Sequence, residues 1–230
     1  MRLDKYLCHS TSLTRSRAQG MIRGGQVTVN GEVAKDPSYK LPADAHVTWR
    51  DQAVALSGHR YLMLNKPQGV VCAATDALHK TVLDLLDVQN PKGLHVAGRL
   101  DIDTTGLVLI SDDGDWTHRI TAPRHKCEKR YRVTLAEPVA DGVVERFAEG
   151  IELRGEKQKT SPAVLELLGP QEVRVTLSEG RYHQVKRMFA AVGNRVVALH
   201  RERIGAIVLD AGLQPGQWRT LTDAERESVL

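Results

Sequence analysis

The chain has 230 residues, 41% of them hydrophobic and 26% charged, which fits one large or two smaller globular domains and argues against wholesale disorder. No apolar run approaches the roughly 18–20 residues that a membrane-spanning helix needs, and the N-terminus lacks the apolar stretch of a signal peptide. The three widely spaced cysteines form neither a disulfide framework nor a metal-binding pattern, so we expect a cytoplasmic protein.

The charge is sorted into blocks along the chain. The net charge is only +4, yet residues 119–132 and 181–203 each hold six basic residues against a single acidic one. Residues 99–115 run the other way, with five aspartates and one arginine. Basic blocks on either side of an acidic segment suggest a polyanion bound near a carboxylate site. An ordinary solvated surface explains the same pattern about equally well.

Residues 1–57 predict a small module of two helices and a hairpin. Apolar residues at i, i+3 and i+4 indicate a first helix over residues 2–8. Thr14 can cap a second helix, which Gly24 ends. The Asn30-Gly31 pair between two β-prone segments predicts a type I′ turn.

The second helix of this module carries a basic group formed by Arg15, Arg17 and Arg23. These arginines share one helix with little acid nearby in sequence, so we expect them to contact RNA phosphates. Residues 53–59 predict a linker, and residues 60–230 a second domain.

The second domain reads as a mixture of short strands and helices that do not alternate regularly. This pattern favours an α+β fold with a largely antiparallel sheet over a doubly wound parallel one. The predicted strands cover residues 61–65, 107–110, 130–135, 164–168, 173–177, 196–199 and 204–209, and the predicted helices cover residues 139–150, 183–192 and a C-terminal segment capped by Thr222 and Glu225.

The most informative segment is the glycine-bracketed loop GRLDIDTTGL at residues 98–107, which runs directly into a predicted buried strand. A carboxylate on such a loop, with Arg99 beside it, is placed to act in a cleft. The residues alone favour a simpler interpretation, in which Asp101 caps a turn and Asp103 pairs with Arg99.

Two resemblances change this balance. The segments RLDKYL at 2–7, SRA at 16–18 and VNG at 29–31 resemble the S4 RNA-binding domain. Four further segments resemble the motifs of the RsuA family of pseudouridine synthases and occur in the family's order: KPQG at 66–69, GRLDIDTTGL at 98–107, KRY at 129–131 and EGRYHQVKRMF at 179–189. Together these motifs span essentially the whole chain and imply a small S4-like RNA-binding domain followed by a catalytic domain.

The family resemblance implies an isomerase that breaks the N-glycosidic bond of a uridine and rejoins the uracil through C5, without cofactor or metal. It implies that Asp101 is the catalytic residue, as a nucleophile at the ribose or as the base that removes a ribose proton. Lys186 matches the family's cation beside that aspartate, and Tyr131 matches its aromatic, which stacks on the target base. Leu199 matches an apolar position of the base pocket, although its pattern alone indicates a core residue.

Three arginines are further candidates for substrate binding. Arg99 could fill the gap that the flipped uridine leaves, Arg187 is expected to bind a phosphate, and Arg181 lies in the same motif. Lys66 is expected to brace the active-site loop. His183 is interpreted as structural or RNA-contacting, not as a general base.

Segments 121–129 and 181–193 most resemble the family members that modify uridine 516 of 16S ribosomal RNA. The expected partner is therefore ribosomal RNA, in a small-subunit assembly intermediate, with the protein a monomer away from membranes. Two alternatives stay open at this point: a large-subunit (23S) rRNA enzyme of the same family, and a non-catalytic ribosome-associated RNA-binding protein.

Overall fold

The structure is a computed structural model that describes residues 1–11, 13–42, 44–54, 58–88, 91 and 93–229. The chain divides into two compact units, Met1–His59 and Arg60–Leu230. No helix in the described part of the chain is long and apolar enough to cross a membrane.

The first unit pairs two helices with a four-stranded antiparallel sheet of order β2-β1-β3-β4. Its elements are α1 (Leu3–Ser10), α2 (Arg15–Arg23), β1 (Val27–Val29), β2 (Glu32–Val33), β3 (Val47–Trp49) and β4 (Gln52–Val54). The predicted linker is wrong at its start, because residues 53 and 54 belong to β4, and its residues 55–57 lie outside the described part of the chain.

Local sequence signals account for the turns of this unit. The Thr14 hydroxyl accepts a hydrogen bond from the Arg17 amide at 3.4 Å and so caps α2, as predicted. Asn30 and Gly31 both have left-handed backbones, with φ of 52° and 86°, as a type I′ turn requires. Apolar side chains of both helices and the sheet form the core: Leu3, Tyr6, Leu7, Ala18, Ile22, Val27, Val29 and Val47.

A buried carboxylate ties the two helices of this unit together. The Asp4 side chain is fully buried and accepts hydrogen bonds from Arg2 at 2.9 Å, Arg15 at 3.2 Å and Gln19 at 3.0 Å. Burial alone would raise the pKa of Asp4, yet these hydrogen bonds outweigh it and hold the pKa well below its usual range. The expectation of little acid near the basic group of α2 is therefore wrong for Arg15.

Among the described residues, the second unit consists of a nine-stranded sheet and four α-helices. The strands are β5 (Tyr61–Lys66), β6 (His95–Val96), β7 (Thr105–Ser111), β8 (Lys129–Leu135), β9 (Val164–Leu167), β10 (Glu172–Leu177), β11 (Val196–Ile204), β12 (Ile207–Val208) and β13 (Trp218–Thr220). The helices are α3 (Gly114–Thr121), α4 (Val143–Glu149), α5 (Gln184–Ala191) and α6 (Asp223–Glu227).

The main path of this sheet runs β13-β5-β7-β11-β8-β10-β9, with β6 paired to β7 and β12 paired to β11. Every one of these strand pairs in the described chain is antiparallel except β7 with β11. The predicted α+β class with a largely antiparallel sheet is confirmed. Strands β5 and β7 are buried on both faces, since apolar clusters pack above and below them.

Two element predictions need correction. The strands predicted at 196–199 and 204–209 are instead one long strand, β11, followed by the short β12. Strand β11 continues through residues 200–203 because a register shift between Arg201 and Arg203 keeps it paired with β8. Helix α4 starts at Val143, later than predicted, because Gly142 before it has a left-handed backbone with φ of 77°.

The helix that carries the last motif matches its prediction closely. Helix α5 buries Val185, Met188 and Phe189 in the core formed with α4 and strands β8 to β11, so Lys186 and Arg187 lie off the buried face. At the C-terminus, Thr222 and Glu225 form the predicted capping box of α6.

Candidate active site

The loop of residues 98–104 that leads into β7 is braced from below by Lys66. This lysine side chain is fully buried, and its ammonium donates to the carbonyl oxygens of Thr104 at 2.7 Å, Pro67 at 3.1 Å and Ile102 at 3.3 Å. Burial lowers the pKa of Lys66. The contacts agree with the prediction that Lys66 shapes the loop instead of performing chemistry.

A second buried cation, Arg201 of β11, holds the other end of the same loop. Its guanidinium donates to the carbonyl oxygens of Leu107 at 2.8 Å, Gly98 at 2.9 Å and Arg99 at 3.4 Å, and the residue is only 2% exposed. The loop is thus fixed at both ends by charge-assisted hydrogen bonds to its backbone.

The glycine of the Thr-Thr-Gly segment is required by the packing of β7 against β11. Gly106 has φ of 101°, and a Cβ atom added there would lie against the backbone oxygen of Arg201 and 2.8 Å from its nitrogen. Only glycine permits this approach. The close contact sets the position of the loop that precedes Gly106.

The Asp101 carboxylate faces two side chains from the motif at residues 179–189. The Lys186 ammonium lies 3.1 Å from Asp101 Oδ2, and the His183 Nε2 atom lies 3.4 Å from Asp101 Oδ1. The predicted pairing of Asp101 with Lys186 is therefore present in the structure. Asp103 does not pair with Arg99, because its carboxylate accepts a 2.6 Å hydrogen bond from the same Lys186 ammonium.

Asp103 and Lys186 both favour their charged forms. The hydrogen bond from Lys186 lowers the pKa of Asp103, against a smaller opposing effect of burial. Burial alone would lower the pKa of Lys186, but its hydrogen bonds to Asp103 and Asp101 outweigh it and raise that pKa. The ammonium is thus held as a cation between two carboxylates.

Asp101 and Lys186 line a cleft of about 500 Å³. The ring of Tyr131, on β8, is half-buried at its wall, and Leu199, on β11, lies beside it with 8% exposure. The cleft brings together six predicted site residues: Arg99, Asp101, Tyr131, Arg181, Lys186 and Leu199. An ionised carboxylate, a cation, an aromatic face and an apolar side chain thus meet in one concave site, which fits a planar heterocycle attached to a sugar.

Two of the predicted substrate-binding arginines already have partners within the protein. Arg181 donates to the carbonyl oxygens of Gln158 at 2.8 Å and Lys159 at 2.7 Å. Arg187 pairs with Glu156 at 3.0 Å. Both arginines therefore bind the segment 154–159 to the motif loop. The other three predicted RNA contacts, Arg15, Arg17 and Arg23, lie on α2 in the first unit, where each is exposed.

Sequence reasoning overlooked three features of this site. Arg201 was passed over, although its alternation with Leu199 along one strand places a cation on a buried face. No sequence signal predicts that Asp103 shares Lys186 or that His183 reaches Asp101, because both contacts join distant segments. In the described chain, no group of three or more His, Cys, Asp or Glu side chains could hold a metal ion.

Comparison with known proteins agrees with this geometry. Residues 60–191 match the family model of RNA pseudouridylate synthases, and residues 1–47 match the S4 domain. The chain is 57% identical, over the full length of both proteins, to ribosomal small subunit pseudouridine synthase A of Escherichia coli K12. It is 53% identical to the protein of that name from Vibrio cholerae, over 100% of this chain and 99% of the relative.

A solved crystal structure of a pseudouridylate synthase has the same fold, with 50% identity, a TM-score of 0.74 and complete coverage of both chains. The fold and the site define an RNA-modifying isomerase with an N-terminal S4 domain. The chain belongs to the RNA pseudouridylate synthase family and is of the RsuA type.

Proposed function

We propose that this enzyme converts uridine 516 of 16S ribosomal RNA to pseudouridine. The full-length identity to small-subunit enzymes from two organisms supports ribosomal RNA of the small subunit as the substrate. The particular uridine is inferred from the resemblance of segments 121–129 and 181–193 to family members that modify this position.

The observation that carries the proposal is the Asp101 carboxylate in the cleft, 3.1 Å from the Lys186 ammonium. Asp101 acts as the catalytic residue, by attack on the ribose or by removal of a ribose proton. Both routes need the carboxylate in its ionised form. The chemistry requires no group donor, because the uracil that leaves is the uracil that returns.

The walls of the cleft suit a base that has left its stack. Tyr131 stacks on the uracil and Leu199 closes the apolar side of the pocket, while Arg99 occupies the gap left in the RNA. Flipping a nucleotide costs a few kcal/mol, and aromatic stacking returns roughly 1–3 kcal/mol of that.

Binding of the RNA backbone supplies the remaining free energy. We assign phosphate contacts to Arg15, Arg17 and Arg23 of residues 1–57, and the chemistry to residues 60–230. Arg187 and Arg181 support the substrate from the motif loop, and a phosphate contact by Arg187 exchanges its present partner Glu156 for RNA. Each phosphate contact weakens with salt, since counterions are released on binding.

The cellular substrate is an assembly intermediate of the small subunit, and the enzyme acts on it as a monomer in the cytoplasm. An intermediate leaves the RNA open enough for a base to flip, while its structure still marks one uridine among many. The molar mass of the purified enzyme, measured by light scattering, tests whether it is a monomer. The enzyme should form pseudouridine faster on assembly intermediates than on naked 16S RNA.

A tritium-release assay tests the reaction, because isomerisation exchanges the C5 hydrogen of the target uridine. Particles containing 16S RNA labelled at C5 should release one equivalent of tritium, whereas 23S RNA should release none. Mapping of pseudouridine in both RNAs of a deletion strain identifies the position. Loss of a 23S pseudouridine would assign the enzyme to the large subunit, and release of no tritium would leave an RNA-binding protein only.

A further inference from the structure

Tyr182 presents an exposed aromatic ring next to His183, which lines the catalytic cleft. The residue is 76% exposed, and its ring stacks on the ring of His183 with 3.8 Å between centroids and 20° between planes. His183 in turn lies 3.4 Å from the Asp101 carboxylate. A stack of two rings therefore leads from the catalytic carboxylate to the surface.

The backbone beneath this stack is held in place from several sides. The Arg187 guanidinium donates to the Tyr182 carbonyl oxygen at 3.2 Å and to the Arg154 carbonyl oxygen at 2.9 Å. His183 has φ of 48°, a conformation that residues other than glycine seldom adopt, and such strain is concentrated at functional sites. The stack is thus fixed, while most of the Tyr182 ring remains open to solvent.

A basic loop, residues 154–159, lies beside the stack. Arg181 binds the carbonyl oxygens of Gln158 and Lys159, which fastens this loop to the motif that contains Tyr182. Its side chains Arg154, Lys157 and Lys159 are exposed, and no ion pair is found for them among the described residues. An exposed aromatic with unpaired cations nearby is the combination that binds single-stranded nucleic acid.

We propose that Tyr182 and the basic loop form a single-stranded RNA site that receives the nucleotide next to the target uridine. The inference rests on the proposed function, since a uridine at Asp101 brings its neighbouring nucleotide to the mouth of the cleft. The neighbouring base stacks on the Tyr182 ring, and the cations of the basic loop bind the adjoining phosphates. Tyr182 is a binding residue in this scheme and takes no part in the chemical step.

Single-turnover tritium release from small-subunit particles of a deletion strain, measured over a range of enzyme concentrations, tests the role of Tyr182. Tyr182→Ala should raise the half-saturating enzyme concentration by about 5- to 150-fold, the range that base stacking on an aromatic ring confers. The maximal rate should stay within about twofold of wild type. Tyr182→Phe, which keeps the ring, is the matched control and should behave as wild type.

The salt dependence of binding tests the basic loop independently. The double variant Lys157→Ala, Lys159→Ala should reduce the slope of log affinity against log salt by about 1.4, or about 0.7 for each lost phosphate contact. This measurement also keeps the proposal testable if Tyr182→Ala fails to fold.

Several outcomes would overturn the proposal. An unchanged half-saturating concentration for Tyr182→Ala would remove the base contact, and an unchanged salt slope would remove the phosphate contacts. A lower maximal rate at unchanged half-saturation would mean that the ring only positions His183. If the wild-type enzyme releases no tritium from these particles, the proposed function fails instead, and the two failures are distinguishable.

Discussion

The Lys186 ammonium lies closer to Asp103, at 2.6 Å, than to the Asp101 carboxylate, at 3.1 Å. Asp103 therefore acts as an anchor that holds the cation in place, and Asp101 shares that cation at longer range. The two carboxylates are two residues apart on one loop, yet Asp101 lines the cleft, whereas 54% of the Asp103 side chain is exposed to solvent.

The first prediction concerns Asp101. Asp101→Asn keeps the size of the side chain but removes its charge, so the variant should lose all measurable turnover while RNA affinity stays within about threefold of wild type. Tritium release and filter binding measure the two quantities. Activity within tenfold of wild type would contradict the catalytic assignment.

Asp103→Asn provides the matched control for that substitution. The amide can still accept a hydrogen bond from Lys186, so we expect a rate loss of less than about tenfold. A loss as complete as that of Asp101→Asn would mean that the two aspartates have been assigned in the wrong order.

The second prediction concerns the cation. Lys186→Met should slow the chemical step even at saturating RNA, because the Asp101 carboxylate loses its nearest counter-charge. Single-turnover tritium release over a range of RNA concentrations separates the rate of the chemical step from the affinity. A defect in affinity alone would exclude Lys186 from the chemistry.

The third prediction concerns a buried hydroxyl. Thr104 is 1% exposed, and its Oγ1 atom has no hydrogen-bond partner among the described residues. A buried hydroxyl without a partner costs about 1–3 kcal/mol. Thr104→Val should therefore leave the free energy of unfolding unchanged or raise it by up to about 1 kcal/mol, as measured by urea denaturation at constant m value.

Thr105→Val is the neighbouring control for this measurement. The Thr105 hydroxyl lies 2.8 Å from His200 Nδ1, so its removal should lower the free energy of unfolding by about 1 kcal/mol. If both variants lose stability equally, the Thr104 hydroxyl must have a partner in solution.

The fourth prediction links pH to the stability of the first unit. The pKa of Asp4 is depressed by its hydrogen bonds, so its stabilising effect is complete above the ordinary aspartate pKa of about 3.9 and is lost as pH falls toward the lower folded value. Asp4→Asn removes a buried carboxylate that accepts hydrogen bonds from two exposed arginines, and we expect a loss of about 1.5–3 kcal/mol at pH 7.

Hydrogen exchange of peptides from α1 and α2 measures this effect in the full-length protein. The protection lost in Asp4→Asn should be largest at pH 7 and smaller at pH 3. If the difference in protection between wild type and Asp4→Asn grows at low pH, Asp4 does not stabilise the unit through its ionised form.

Local sequence patterns predict the helices, strands and turns of the fold better than they predict the contacts between those elements. The capping residues Thr14 and Thr222 and the Asn30-Gly31 turn are set by neighbours in sequence, and the structure confirms each. Helix α3 was not predicted, because its eight residues carry only two buried side chains and its start depends on the short cap formed by Asp113.

The contacts within the active site do not follow from local sequence patterns. The resemblance to a family pointed to Asp101 and Lys186, whereas the residues alone favoured a capped turn. Contacts such as Asp103 with Lys186 join segments 83 residues apart, and no local periodicity encodes them. Arg187 was predicted to bind a phosphate and Arg181 to bind substrate, but no sequence signal indicated that both also pair with the loop of residues 154–159.

The parallel pairing of β7 with β11 divides the large sheet into two halves, and the proposed catalytic pair, Asp101 and Lys186, lies across that boundary. Asp101 enters from the loop before β7, and Lys186 stands on the helix before β11, while Gly106 sits against Arg201 at the boundary itself. A slip of one residue between these strands would displace one half by about 3.3 Å along the other. That shift is as large as the 3.1 Å distance between the Lys186 ammonium and the Asp101 carboxylate. The pairing register of β7 and β11 therefore determines whether these two side chains can meet.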